Sequence, residues 1–262
     1  MNTDNIRYWL SGGRKRQVLE LHDLIRPQTC DELKKIRVGN DRKDGGYVMA
    51  DDLECIEAAL SLGIGHDISW DIEMTKLGVE VYQYDHTVEA PAEVAGNPRL
   101  HFHKAGIAAV SDPSIPMRSL KDVLVEEMAA HDGDLILKMD IDGYEWEVFE
   151  SMPDEILRRF RQICIEIHHP LARPGQSAKR KQHLGVLRRI HREFAPVHLH
   201  ANNAGPVREL AGLRVPKLLE ITYIRRDDQQ FRDSDESFPG KLDVPNIPSA
   251  PEIPIGEIVG LR

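Results

Sequence analysis

Three apolar runs, each delivering a glycine turn or an acid at its C-terminal end, constrain this chain more than any other feature. Ala58-Ala59-Leu60-Ser61-Leu62 leads into Gly63-Ile64-Gly65-His66-Asp67. Val79-Glu80-Val81-Tyr82-Gln83-Tyr84 leads into Asp85. Leu135-Ile136-Leu137-Lys138-Met139 leads into Asp140-Ile141-Asp142-Gly143-Tyr144-Glu145. Short apolar runs bounded by turn chemistry read as buried strands. Strands alternating with helical patterns imply a parallel sheet with helices on both faces. In open sheets of that kind, ligands bind beyond the carboxyl ends of the strands. The turns and acids are therefore the candidate site.

The remaining elements fit the same alternation. Leu100–Ile107 reads as a strand and its turn, and Gln162–Ile167 as a strand ending in His168-His169. Ser119 is placed to cap a helix, with Asp122 at the capping-box position. Ser177–Phe194 is an amphipathic helix with Leu184, Leu187 and Ile190 on one face. Val197–His200 and Leu218–Ile224 are two late strands. Asp51 or Asp52 is expected to cap a short helix carrying Leu53, Ile56 and Leu60. Val18, Leu21, Leu24 and Ile25 repeat at helical spacing within a polar N-terminal segment, residues 1–36. From residue 231 onward the chain is proline-rich, with Pro239, Pro245, Pro248, Pro251 and Pro254, and is expected to be an extended strap.

The length of 262 residues suits one large α/β domain with trimmings. A net charge of −9 argues against a general nucleic-acid binder, whose affinity rests on basic surface. Three cysteines without CxxC spacing suggest reduced thiols and a cytoplasmic location. Cys164, inside an apolar run, is expected to pack in the core. No apolar run approaches the ~20 residues of a membrane helix.

Gly63-x-Gly65 lets backbone pass close to a ligand, and a helix starting near Asp67-Ile68-Ser69 would aim its N–H groups at it. A dinucleotide turn would carry a third glycine where Ile68 stands. Asp85, followed by His86, lies 22 residues beyond Gly63, where a doubly wound fold places an acid on ribose hydroxyls. Together these residues point to an adenosine-containing cofactor, with NAD and S-adenosylmethionine both left open. Strand alternation puts Glu166 and His168 on one side, so Asp140, Glu166 and His168 are expected to converge at neighbouring strand ends. Two carboxylates and an imidazole suit either proton abstraction or a divalent cation, Mg²⁺ or Mn²⁺. His200, which shares an alternation with His198, is a candidate fourth member.

The glycine turn, Asp85, and above all Leu137-Lys138-Met139-Asp140-Ile141-Asp142-Gly143-Tyr144-Glu145-Trp146 resemble FkbM-type methyltransferases. The Asp44-Gly45-Gly46-Tyr47 turn and the Trp70-Asp71 pair resemble a related branch of methyltransferase-like proteins. The similarity covers roughly residues 37–225, and departs from the family where Ser61 replaces the acid before the first glycine. The resemblance implies a seven-stranded, Rossmann-like class I methyltransferase sheet, mostly parallel, with a terminal antiparallel pair. It would span residues 37–230, between the N-terminal extension and the tail 231–262. It implies S-adenosyl-L-methionine as cofactor, bound by Gly45, Gly46, Tyr47, Gly63, Gly65, Asp67, Trp70, Asp85, His86, Gly106 and Asp140. Catalysis would fall to Asp140 and His168, and the acceptor would be a hydroxyl on a carbohydrate or small molecule. The alternatives are a methyltransferase-like module that binds without turnover, and a nicotinamide-dependent oxidoreductase.

Overall fold

The computed structural model describes residues 3–255 apart from 32, 174 and 228, with side chains from residue 12 onward. The central sheet has seven strands: β1 Ile56–Leu62, β2 Glu80–Tyr84, β3 Leu100–His103, β4 Asp134–Met139, β5 Phe160–His168, β6 Phe194–His200 and β7 Leu218–Arg225. Their order is β6-β7-β5-β4-β1-β2-β3. Neighbours among β1 to β5 pair in parallel, and β7 runs antiparallel to both β5 and β6. The chain leaves β1 toward β2 and β3, then returns to place β4 on the other side of β1. The switch point of the sheet therefore lies between β1 and β4.

Both sheet faces are covered, as the near-continuous apolar runs require. Leu60, Leu62, Leu135 and Leu137 point into one core with Leu21, Leu184 and Leu187. Their neighbours Ala59, Ile136 and Cys164 point into another with Met49, Trp70 and Met74. The first core is roofed by helices α1 Thr3–Ile25, α3 Leu120–Glu126, α4 Glu145–Ser151, the short α5 Asp154–Leu157 and α6 Ser177–Glu193. The second is roofed by α2 Ser69–Lys76 and by a hairpin, Lys35–Gly39 with Gly46–Ala50. Cys164 is fully buried, and burial pushes its thiol up to about 12, as a packing role requires. Ser119 caps α3, accepting a hydrogen bond from the Asp122 amide while its own hydroxyl donates to the Asp122 carboxylate. Among the described residues no helix is long and apolar enough to cross a membrane.

Three sequence expectations are corrected. Asp51 and Asp52 cap no helix, because Ile56–Leu60 belongs to β1. The spacing of Leu53, Ile56 and Leu60 suits a helix, but pairing on both sides at the sheet centre overrides so short a local pattern. The helical N-terminus ends at Ile25, ahead of Pro27. Gln28–Thr29 then pairs with Arg232–Asp233, and residue 36 falls inside the first hairpin strand. A second hairpin, Val207–Leu210 with Leu213–Pro216, stands between the late strands where none was expected. Its polar residues gave no periodic signal.

The proline-rich tail is extended and crosses the β6–β7 edge of the sheet. Asp243 meets His198 Nε2 at 2.8 Å, and Glu252 meets His200 Nε2 at 3.1 Å. Glu220 takes the other nitrogen of His200, also at 3.1 Å. Burial opposes charge on His200, but the two glutamates outweigh it and lift the imidazole to about 10. A raised folded-state pKa means the stabilisation is complete below the ordinary value near 6.5 and is lost as pH rises through 10. The stability difference between the wild type and His200→Gln should therefore shrink between pH 7 and 10.5 in chemical denaturation. A difference that stays constant across that window would refute the assignment.

Candidate active site

Four strand ends deliver the site. The amide of Asp140 donates to Leu62 O at 2.9 Å, and that of Gly63 donates to Tyr84 O at 2.9 Å. The turns after β1, β2 and β4 are thus stitched side by side. Gly63 has φ +71°, and a Cβ there would lie 1.8 Å from the Asp140 carbonyl oxygen. Only glycine lets these two turns approach so closely. Lys138, almost fully buried, donates from Nζ to Gly63 O at 3.1 Å and fixes the turn from below. Asp71 of α2, fully buried, sits among Ser61, Gln83 and Lys138. Burial raises its carboxyl, and the charge of Lys138 pulls it back.

Above these turns lies a cavity of about 1100 Å³. Gly63, Gly65, Asp67, Asp85, His86, Gly106 and Asp140 line it, as do Gly45 and Tyr47 from the first hairpin. The hairpin is held there from α2. Asn40 Nδ2 donates to Asp67 at 2.8 Å, the Gly39 amide to Glu73 at 2.6 Å, and the Ser69 hydroxyl to Gly45 O at 3.3 Å. From the other side, Asn246 of the tail donates to Asp44, another lining residue, at 3.0 Å. Asp85 accepts from the Gly65 amide at 3.0 Å and from the Thr87 amide and hydroxyl. Burial opposes its ionisation, yet these bonds hold its carboxyl below the ordinary value.

Two expected residues lie away from the cavity lining. Trp70 is wholly in the core, its indole donating to Met49 Sδ at 3.2 Å. Gly46 packs against Asn40 and Arg37, where a Cβ would meet backbone at 2.2 Å. Both shape the hairpin that forms the wall.

Asp140, Glu166 and His168 come together. One ligand atom from each lies within 4.8 Å of the others. Burial raises Asp140 to about 6, against the opposing charges of Lys138 and His168. Burial and the neighbouring Asp140 also raise Glu166 well above its ordinary value. His200 does not join them, since both its nitrogens are engaged by Glu220 and Glu252. Two partners carried no assigned role in the sequence. Glu145, fully buried at the start of α4, accepts from the His168 amide at 2.5 Å and meets His168 Nδ1 at 3.1 Å. Its other oxygen accepts from the Gly143 amide at 2.7 Å. Asn202, just past β6, donates to Glu166 Oε2 at 2.6 Å. Glu145 sits in the quoted motif, but only the folded chain brings it to His168, 23 residues away.

A seven-stranded sheet in this order, with a cavity over the ends of β1, β2 and β4, defines a class I, Rossmann-like methyltransferase fold. The family model for the methyltransferase FkbM domain matches residues 30–194, well over half of the chain, and the protein belongs to that family. Among solved structures, methyltransferase FkbM from Methylobacillus flagellatus KT is similar at 16% identity, with a TM-score of 0.37. The match covers 63% of this chain and 43% of that one. No curated protein matches the sequence.

Proposed function

We propose that the protein transfers the methyl group of S-adenosyl-L-methionine to a hydroxyl on a carbohydrate or another small molecule. The observation that carries this reading is the convergence of Gly63, Gly65, Asp85 and Asp140 on one cavity of about 1100 Å³. That volume is at the upper end for a single small-ligand pocket, ~1000 Å³, so an acceptor has room beside the cofactor. In this reading the Gly63–Gly65 backbone lies under the methionine part, Asp85 accepts from the ribose hydroxyls, and Gly106 borders the adenine. Asp140 faces the reacting methyl group. Ile68, buried where a dinucleotide turn would carry its third glycine, stands against a nicotinamide cofactor.

Methyl transfer needs the acceptor oxygen in line with the sulfonium methyl, and positioning supplies much of the rate. The oxygen must also gain alkoxide character. His168 as general base, oriented by Glu145, is one route. Mg²⁺ or Mn²⁺ held by Asp140, Glu166 and His168 is the other.

S-adenosylhomocysteine should bind the purified protein in calorimetry, and Asp85→Ala should weaken it by roughly 1–3 kcal/mol through lost ribose hydrogen bonds. NAD binding with no response to S-adenosylhomocysteine would overturn the reading. A protein that binds S-adenosylhomocysteine, turns over no acceptor and loses nothing measurable on Asp140→Ala would favour the module that binds without turnover.

A further inference from the structure

The Asp140–Glu166–His168 cluster has a feature that a general base alone does not require. Glu145 is fully buried and holds His168 at two points, the backbone amide and Nδ1. With Nδ1 engaged by Glu145, Nε2 faces the other way. What it faces is carboxylate. Glu166 Oε1 lies 3.4 Å away and Asp142 Oδ1 lies 3.6 Å away. Carboxylates on that side favour positive charge there, which a proton on Nε2 or a metal ion would each supply. Glu166 tells the same story. It is buried, and Asn202 occupies its Oε2, while Oε1 is turned into the cluster toward His168 Nε2. Asp140 adds a third oxygen donor, at the wall of the cofactor cavity.

Each donor is also oriented as metal ligands are. A ligating imidazole almost always gives its second nitrogen to a carboxylate, and ligating carboxylates are themselves hydrogen-bonded. Glu145 and Asn202 supply those two outer contacts. Two carboxylates and one imidazole within 4.8 Å need only a small contraction to share an ion. An oxygen-rich set with one imidazole suits Mn²⁺ better than the more strictly oxygen-seeking Mg²⁺.

We infer that Asp140, Glu166 and His168 hold one divalent cation, Mn²⁺ in preference to Mg²⁺, with Glu145 and Asn202 as the positioning residues of its ligands. The proposal rests on the methyltransferase reading for its chemical purpose, and on this geometry for its existence. Of the three ligands Asp140 lines the cavity, and on that side the ion would take the acceptor oxygen as a further ligand. The acceptor O–C bond then forms as the sulfonium C–S bond breaks, and sulfur keeps the electron pair to give S-adenosylhomocysteine. The hydroxyl proton passes to the exposed Asp142 carboxylate and on to solvent.

The test is Mn²⁺ binding to the full chain after EDTA treatment, followed by electron paramagnetic resonance and calorimetry, with S-adenosylhomocysteine binding measured separately. The expected result is one Mn²⁺ per chain. Glu166→Gln and His168→Ala should each abolish that binding, and Glu145→Gln should weaken it by about 10- to 100-fold. All three should keep S-adenosylhomocysteine affinity within about twofold, which shows that they are folded. Glu166→Gln is isosteric and guards against a loss caused by misfolding. Absence of stoichiometric Mn²⁺ binding, or binding unaffected by Glu166→Gln and His168→Ala, overturns the metal site and leaves the cofactor reading intact. Mn²⁺ binding with no binding of S-adenosylhomocysteine would instead overturn the proposed function and spare the metal site.

Discussion

Gly63→Ala is expected to abolish S-adenosylhomocysteine binding and to lower the unfolding free energy by roughly 3 kcal/mol. Two costs combine. At φ +71° an L side chain is strained by its own backbone. The added Cβ would also lie 1.8 Å from the Asp140 carbonyl oxygen, and backbone cannot yield as a flexible side chain would. The turns after β1 and β4 must then part, which opens the floor of the cavity and frees the oxygen held by Lys138. Gly65→Ala is the internal control. It has φ +53° with nothing within 4 Å of the added Cβ, so it should cost only ~1 kcal/mol of stability. Calorimetry and urea denaturation of both variants decide the point. A Gly63→Ala protein as stable and as tightly binding as Gly65→Ala would refute the close-approach argument.

His168→Ala and Asp140→Ala are expected to reduce methyl transfer by about 10²–10⁴-fold, the usual worth of a group that handles the reacting proton or its equivalent. The acceptor for the assay is to be found by screening hydroxylated sugars and small molecules. His168 stands behind the cavity wall and away from its lining, so its loss should fall on kcat and leave cofactor affinity nearly unchanged. Asp140 lines the cavity, so its loss should touch both. Glu145→Gln keeps the shape but weakens the hold on His168 Nδ1, and should give an intermediate loss. The two routes of activation separate here as well. With a bound cation, excess EDTA should stop turnover while S-adenosylhomocysteine still binds. With His168 as base, EDTA should change nothing. Full activity of both alanine variants would eliminate either mechanism.

The strand ends were legible in the sequence because they are local statements. Leu135–Met139 is too apolar to sit anywhere but a sheet interior, and Gly63-x-Gly65 and Asp85 mark turns within a few residues of their strands. The Ser119 cap and the apolar stripe of α6 were readable for the same reason. Where local spacing was short it misled: Leu53, Ile56 and Leu60 looked helical, but Ile56 and Leu60 lie in a strand paired on both sides. Trp70 looked like a pocket residue because the Trp70-Asp71 pair resembles a related branch of methyltransferase-like proteins. An α-helix rotates each successive residue by about 100°, and the rotation at Trp70 carries its ring into the core. His200 shared the alternation of a site strand, yet the tail reached it first.

The sequence by itself determined which residues end the strands, in what order, and hence that glycines and acids would meet at one edge of a parallel sheet. Only the tertiary structure decided their partners. Glu145 reaches His168 across 23 residues, Asn202 reaches Glu166 across 36, and Asn246 reaches Asp44 across 202. Asp71 of α2 is buried beside Ser61, Gln83 and Lys138. Pairings over such separations are set by how strands stack and which way the tail crosses them. Periodicity describes only which face a residue takes, never what waits there from elsewhere in the chain.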